Sequence, residues 1–261
     1  MSTTPAVDLD WAVEEDFSSG PYPPDSEFFF QRVPALITEL TTDGEPARVL
    51  DVACGFGGQL ARLRAPGRES WGLDASIALL QHCRERFEAA ADTPLVCAPA
   101  ESLPFRDGTF DRIVCQGSLD HFVAPHAFLR EAARILKPDG RAIIGISNYD
   151  SLSCLLGRAD HRLKRALGVD VYGGRHYWEI PPNHTFRGTY GLLRRLGAPE
   201  LELLGCRGAS MLWLFRPWSK LMRTLPAPVA TSAMRALDRV ALRVPAFADL
   251  VVSVWRPARA R

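Results

Sequence analysis

The chain has 261 residues, 47% hydrophobic and 23% charged, with a formal net charge of +1. This is a globular composition that excludes wholesale disorder, and the length suits one α/β domain with insertions or two small domains. A charge this close to zero gives no global reason to expect nucleic-acid binding. The distribution is uneven, however. Residues 1–31 carry seven acids and no Lys or Arg, whereas residues 206–244 carry seven bases against one acid, Asp238. Six cysteines, at 54, 83, 97, 115, 154 and 206, form no CxxC pair and no metal-like grouping, so reduced thiols and no metal centre are expected. An acidic N-terminus without an apolar run does not read as a signal peptide, and no run reaches the roughly 18 apolar residues that span a bilayer. The expected location is cytoplasmic, or peripheral to a membrane.

Residues 18–24 are rich in Ser, Gly and Pro and predict an ordered loop or hinge. Phe28, Phe29, Val33, Leu36, Ile37 and Leu40 lie near helical spacing and predict a helix over 27–40. The stretch 48–60 then reads as a buried strand (Val49, Leu50, Val52), a glycine turn, and a helix opening at Gly58. Gly55 and Gly57 remove Cβ atoms that would keep the backbone away from a ligand, and the helix N-terminus aims N–H groups into the same space.

Further strands are expected over 69–73, 94–98, 110–116 and 141–147, separated by helical stripes on Ile77, Leu80, Cys83 and Phe87 and on Phe128, Leu129, Ala132 and Ile135. The second of those helices should stop at Pro138-Asp-Gly140. Strands alternating with helices imply a doubly wound, mostly parallel sheet, here of seven strands, with helices on both faces. The alternation breaks over 148–187, a connection long enough to serve as a cap. A helix over 189–196 and strands over 201–204 and 249–255 follow, the last two separated by an apolar, basic insertion at 208–244. The organisation expected is an N-terminal helical lid (1–45), a ligand-binding core (46–147), the cap (148–187), and the C-terminal half of the sheet with its insertion (188–261).

The glycine spacing limits the ligand. A dinucleotide turn wants a third glycine where Leu60 stands, and a phosphate loop wants a Lys and a Ser or Thr that are missing after Gly58. What remains is a loop that accepts a small zwitterionic group beside an adenosine. Asp74, at the end of the second strand, can accept both hydroxyls of a ribose, or can cap the helix that follows.

With the segments Gly72-Leu-Asp-Ala-Ser76, Ala98-Pro-Ala-Glu-Ser-Leu-Pro-Phe105, Phe110-Asp-Arg-Ile-Val-Cys-Gln116, Leu119-Asp-His-Phe122 and 128–145, the chain resembles the class I S-adenosylmethionine-dependent methyltransferases of the methyltransferase-11/UbiE-like group. The resemblance implies a Rossmann-like fold, S-adenosylmethionine as methyl donor, and a small acceptor. It places Asp51 and the backbone of Ala53, Cys54, Gly55 and Gly57 against the methionine part. It places Asp74 on the ribose, Ala75 on the adenine face, Ala100 and Glu101 at the adenine edge, and the Gln116 backbone beside the cofactor. Pro99 stands where the family often has an acid that accepts from the adenine amino group, so backbone atoms or Glu101 must serve instead.

His121, just past the fourth strand, is the candidate general base, or a pocket-wall histidine; Asp120 beside it could orient it or cap the next turn. His184 in the cap could fold over the substrate or pin the cap to the core. Tyr22, Tyr172, Tyr177 and Trp178 could line an aromatic acceptor site or simply pack. In the insertion, Met234, Leu237, Ala241 and Val244 predict a helix with Arg235, Asp238, Arg239 and Arg243 on its opposite, solvated face. Met211, Trp213, Phe215 and Trp218 could instead dip into lipid, or meet a second subunit, leaving a monomer or a homodimer open. The expected function is methyl transfer to a small lipophilic or aromatic metabolite. The alternatives are a cofactor-binding module without turnover and, disfavoured by Leu60, a nicotinamide-dependent oxidoreductase.

Overall fold

The computed structural model describes residues 22–87, 93–169, 174–197 and 199–258. Strands β1 (Arg48–Val52), β2 (Glu69–Asp74), β3 (Leu95–Cys97), β4 (Phe110–Gln116), β5 (Leu136–Ser147), β6 (Leu201–Ala209) and β7 (Leu250–Pro257) form a seven-stranded sheet ordered β3-β2-β1-β4-β5-β7-β6. All pairs among β1 to β5 are parallel, and β7 runs antiparallel to both β5 and β6. This is the expected doubly wound sheet. Its strand order reverses between β1 and β4, the place where open α/β sheets leave a crevice beyond the strand ends.

The two faces follow from strand alternation. Leu50, Val52, Ile113, Cys115, Ile144 and Val251 point to one face, where they pack with Phe128, Leu129 and Ala132 of α4 (Pro125–Ile135) and Leu193 of α6 (Tyr190–Leu196). Val49, Val114, Ile143 and Val252 point the other way, against Phe29, Val33, Leu36 and Ile37 of α1 (Pro24–Thr42) and Leu63 of α2 (Gly58–Leu63). Each such aliphatic side chain contributes roughly 1.5–3 kcal/mol when buried, so the central strands need apolar residues on both sides. From residue 22 onward, the expected N-terminal lid is therefore a core layer, and α1 begins at Pro24, with proline at a first-turn position that suits it. Residues 1–21, which contain most of the expected hinge, lie outside the described residues.

Two boundaries differ from expectation. Helix α4 ends at Ile135, and β5 starts immediately at Leu136, which pairs with Phe110; Pro138-Asp-Gly140 sits within an irregular stretch of strand, where the register shifts between Phe110 and Arg112. The expected cap contains a 15-residue helix, α5 (Leu152–Ala166), begun by Ser151, whose side chain accepts from the Cys154 N–H.

The insertion holds α7 (Arg216–Thr224) and α8 (Ala227–Arg243). Asp238 is not on the solvated face of α8. It is buried, accepts from Arg32 Nε of α1 at 2.6 Å, and accepts from the Ser210 N–H at 3.0 Å. Arg32 supplies the charge that makes burial of the carboxylate tolerable. Met211 is also buried, and Trp213 stacks on Phe29 with ring centroids 3.7 Å apart, so neither is available to lipid. Among the described residues, no helix is long and apolar enough to cross a membrane.

Asp238→Ala should lower the unfolding free energy in urea by about 3 kcal/mol, because it strands a part-buried guanidinium. Arg235→Ala, on the exposed face of the same helix, should change it by less than about 0.5 kcal/mol.

Candidate functional site

The site starts at the C-terminal end of β1. Asp51 is 2% exposed, and burial, ahead of its neighbours Cys83 and Asp74, pushes its carboxyl well above the ordinary range. One oxygen of Asp51, Oδ2, has no hydrogen-bond partner. A buried carboxylate in that condition is suited to a cationic group placed beside it.

The turn that follows is strained and open. Ala53 has φ 55° and Gly55 φ 51°, both left-handed. A Cβ on Gly55 would meet nothing within 4 Å, so that backbone faces clear space. Gly57 has a different job from the one its spacing suggests. It takes φ 74° at the N-cap of α2, and a Cβ there would come within 2.6 Å of Cys83 and Phe87 of the α3 region (α3, Ile77–Arg86). The Cys54 side chain turns away from the open space into a small core with Leu60, Leu80 and Cys83. Leu60 is fully buried against Gly72 of β2, where a Cβ would lie 2.8 Å from its side chain. The bulk that a dinucleotide turn forbids on the helix is accommodated here by a glycine on the strand.

Asp74 holds this loop to the next one. Its Oδ2 accepts from the Gly55 N–H and its Oδ1 from the Ser76 N–H, both at 2.9 Å. The helix cap is Ser76, whose hydroxyl accepts from the Leu79 N–H, so Asp74 is not needed for that role. Ala75 is half-buried, with its carbonyl accepting from the Cys97 thiol at 3.6 Å. Ile77, next along, is 63% exposed beside these groups, and sequence reasoning assigned it only to a helical stripe.

On the far side, Ala100 packs in the main core, while Glu101 accepts from the Ala124 N–H at 3.3 Å. The Gln116 carbonyl accepts from the Ser118 hydroxyl at 3.1 Å, and its buried side-chain oxygen has no partner. Gln59, also unassigned from sequence, is buried and donates to the Thr38 hydroxyl at 3.0 Å, tying α2 to α1.

The acceptor side is built by a strap. Thr185 N–H donates to the Asp120 carbonyl at 2.7 Å and its hydroxyl to the Phe122 carbonyl at 2.8 Å, which fixes residues around 184 onto the short 3-10 turn Leu119–His121. This brings Asp120, His121 and His184 together. The correction concerns Asp120. It faces His184, with Oδ2 3.0 Å from Nδ1, while the His121 and His184 rings meet edge to face at 4.4 Å. Burial pulls the His121 pKa below the ordinary 6.5, partly opposed by the neighbouring Asp120. The three side chains offer ligand atoms within 4.8 Å of one another and could hold a metal ion, a grouping that sequence spacing did not reveal because His184 comes from the distant strap.

Beyond His184 lies Tyr149, 6.1 Å away between ring centroids, on the wall of a cavity of about 220 Å³ that also includes Ser147, Asn148, Tyr177 and Asp249. The strand-end rule could have found Asn148 and Tyr149, since they directly follow β5. Of the expected aromatics, Tyr177 donates to the Ser153 carbonyl at 2.8 Å, Trp178 stacks on His176 at 4.4 Å and Tyr22 packs on Phe30 at 5.0 Å; Tyr172 lies outside the described residues. A larger cavity of about 1050 Å³ lies between α1, α7 and α8 and reaches none of the strand-end residues.

Asp249 accepts from the Ser153 hydroxyl at 2.6 Å and the Trp213 N–H at 2.9 Å, yet burial raises its pKa from 3.8 to about 7. The unfolded chain releases this proton near pH 3.8 while the folded protein keeps it until about pH 7, so the contribution to stability is full below the first value and lost as pH rises through the second. Asp249→Asn should therefore flatten the fall in melting temperature between those pH values. A slope identical to that of the unmodified protein would refute the assignment.

Residues 50–144 match a family model described as Methyltransferase domain. The chain is 34% identical over 110 residues to a demethylmenaquinone methyltransferase of Thermotoga maritima, covering 41% of this chain and 47% of that one. It thus spans about half the length of that curated relative. Among solved structures, it is similar to a putative methyltransferase in complex with the Haloferax volcanii Trm112 activator, with TM-score 0.59, 18% identity, and coverage of 90% and 92%. It is also similar to the [4+2]-cyclase SpnF, with TM-score 0.57, 20% identity, and coverage of 87% and 81%.

Proposed function

We propose that this chain, whose residues 50–144 match the methyltransferase-domain model, is a class I methyltransferase that methylates a small lipophilic or aromatic metabolite with S-adenosylmethionine. The observation that carries this is the open Gly55 turn held by Asp74 opposite a desolvated Asp51. These residues fit the donor. Asp51 would partner the ammonium of its methionine part with the oxygen now lacking one, Gly55 would admit its backbone, and Asp74 retains acceptor capacity for ribose hydroxyls. Ala75 and the exposed Ile77 would cover the adenine. Pro99 has no carboxylate, so the adenine amino group would be accepted by backbone atoms of that turn or by Glu101, which accepts from the Ala124 N–H at 3.3 Å and retains acceptor capacity. When bound, S-adenosylmethionine supplies an electrophilic methyl group for in-line displacement.

The chain's own contribution is orientation, dryness and a place for a proton. Asp120 fixes the His184 ring, and His121 packs across it, kept neutral to lower pH by burial. An acceptor hydroxyl or amine beside this pair could pass its proton to an imidazole. The Thermotoga maritima relative is a demethylmenaquinone methyltransferase, which supports a lipophilic aromatic acceptor. Fully buried Leu60 at the dinucleotide position disfavours a nicotinamide cofactor.

Calorimetry should detect S-adenosylmethionine and S-adenosylhomocysteine binding and no NAD binding, with Asp74→Ala weakening both adenosyl ligands at least about tenfold, the effect of losing a charged hydrogen-bond acceptor. Unchanged affinity in that variant would overturn the ribose assignment. With an acceptor in hand, turnover should fall off on the acid side below the ordinary histidine pKa, and His121→Asn should remove that limb if His121 takes the proton.

A further inference from the structure

The 220 Å³ cavity is the inner of two. It shares Arg175, His176, Tyr177 and Leu214 with a second cavity of about 500 Å³ between the end of α5 and the start of α7. The walls of the outer chamber carry Lys164, Arg175, Arg216 and Arg223. Among the described residues they include one acid, Asp160, which is ion-paired to Lys164 at 2.6 Å. Apolar side chains stand exposed around the same place. Val169 and Leu214 line the chamber at 50% and 38% exposure, and Leu163, Leu167 and Leu221, in adjoining positions of α5 and α7, are 59%, 69% and 47% exposed.

The basic character of the insertion is sharper than its composition. Its one acid, Asp238, is turned inward and paired with Arg32. From residue 207 to 247, the exposed side chains therefore include bases and no acid. Exposed leucines interleaved with arginines and lysines around an opening suit an occupant that is both apolar and anionic. A nucleic acid would pair the bases and leave the leucines wet, and an apolar protein groove would do the reverse. A lipid surface answers both, with phosphates at the arginines and acyl chains at the leucines.

We propose that the rim formed by the end of α5 and by α7 docks on an anionic membrane surface, from which an apolar acceptor enters the outer chamber. The docking stands on the surface alone; the acceptor's route rests on the methyl-transfer function proposed above. Of the stretch 211–215 expected to meet lipid, Leu214 remains exposed, while Met211 is buried and Trp213 packs on Phe29; Leu163, Leu167, Val169 and Leu221 join it.

The full chain should float with vesicles of phosphatidylcholine containing phosphatidylglycerol, and not with phosphatidylcholine alone. Release is expected near 1 M salt, where the screening length is about 3 Å. Arg216→Gln with Arg223→Gln should weaken partitioning about 25-fold, roughly fivefold for each basic residue lost beside an anionic leaflet. Arg84→Gln with Arg86→Gln, exposed on α3, should leave it unchanged. The proposal is overturned if the unmodified protein shows no preference for the anionic vesicles, if the α3 variant loses as much binding, or if a short DNA duplex is bound as tightly through the same arginines. S-adenosylmethionine calorimetry on the same preparations reports separately on the cofactor loop, so failure of docking and failure of the methyl-transfer proposal are distinguishable.

Discussion

The Asp74 carboxylate is the joint on which the glycine turn after β1 depends. It accepts from Gly55 across the β1 turn and from Ser76 at the start of α3, so two loops from neighbouring parallel strands share one anion. Neither loop could hold its conformation cheaply alone. Ala53 and Gly55 are left-handed, and a non-glycine residue there costs of order 1–3 kcal/mol unless its surroundings over-determine it. The carboxylate provides that constraint from one side, and the packing of Gly57 under Cys83 and Phe87 provides it from the other.

Much of this was legible in the sequence because the signals are local. Continuous apolar runs such as Val49-Leu50 and Ile143-Ile144 announce strands buried on both faces, and a glycine turn between a strand and a helix announces the ligand loop. What sequence could not give were roles that depend on which distant element arrives. Gly57 reads as a ligand-facing glycine until α3 is seen lying against it. Asp238 reads as a surface residue at helical spacing until Arg32, from the other end of the chain, is found beside it. Asp120 reads from sequence as the partner of its neighbour His121 alone, yet it also meets His184, which arrives from the distant strap.

The same limit applies to the insertion. Hydrophobicity and charge counted along residues 208–244 mark an apolar, basic region but not which of its side chains turn inward. Trp213 and Met211 are among the most lipid-like side chains in the segment and also good core formers, so Trp213 packs on Phe29 of α1 and Met211 on Ala241 of α8 and Ala248. What stays outside is a ring of aliphatic side chains and arginines, of which the sequence marked Leu214, Arg216 and Arg223 in the insertion but not Leu163, Leu167 and Val169, which belong to the expected cap.

A common device runs through the site. Asp51 and Asp249 are desolvated carboxyls held above their usual range by burial, and Asp120, equally buried, keeps one oxygen without a partner. A folded chain tolerates such groups only where surrounding packing supplies the energy, because each disfavours the charged form that water would stabilise. Two of the three flank spaces in which a cation or a proton would restore the balance: Asp51 at the glycine turn and Asp120 behind the histidines. Asp249 lies farther out, between the inner cavity and Trp213, where it is held by donors from α5 and the β6–α7 connection. Its charge state is therefore tied to how α5 and that connection pack on the sheet, linking the inner cavity to the core through a buried side chain.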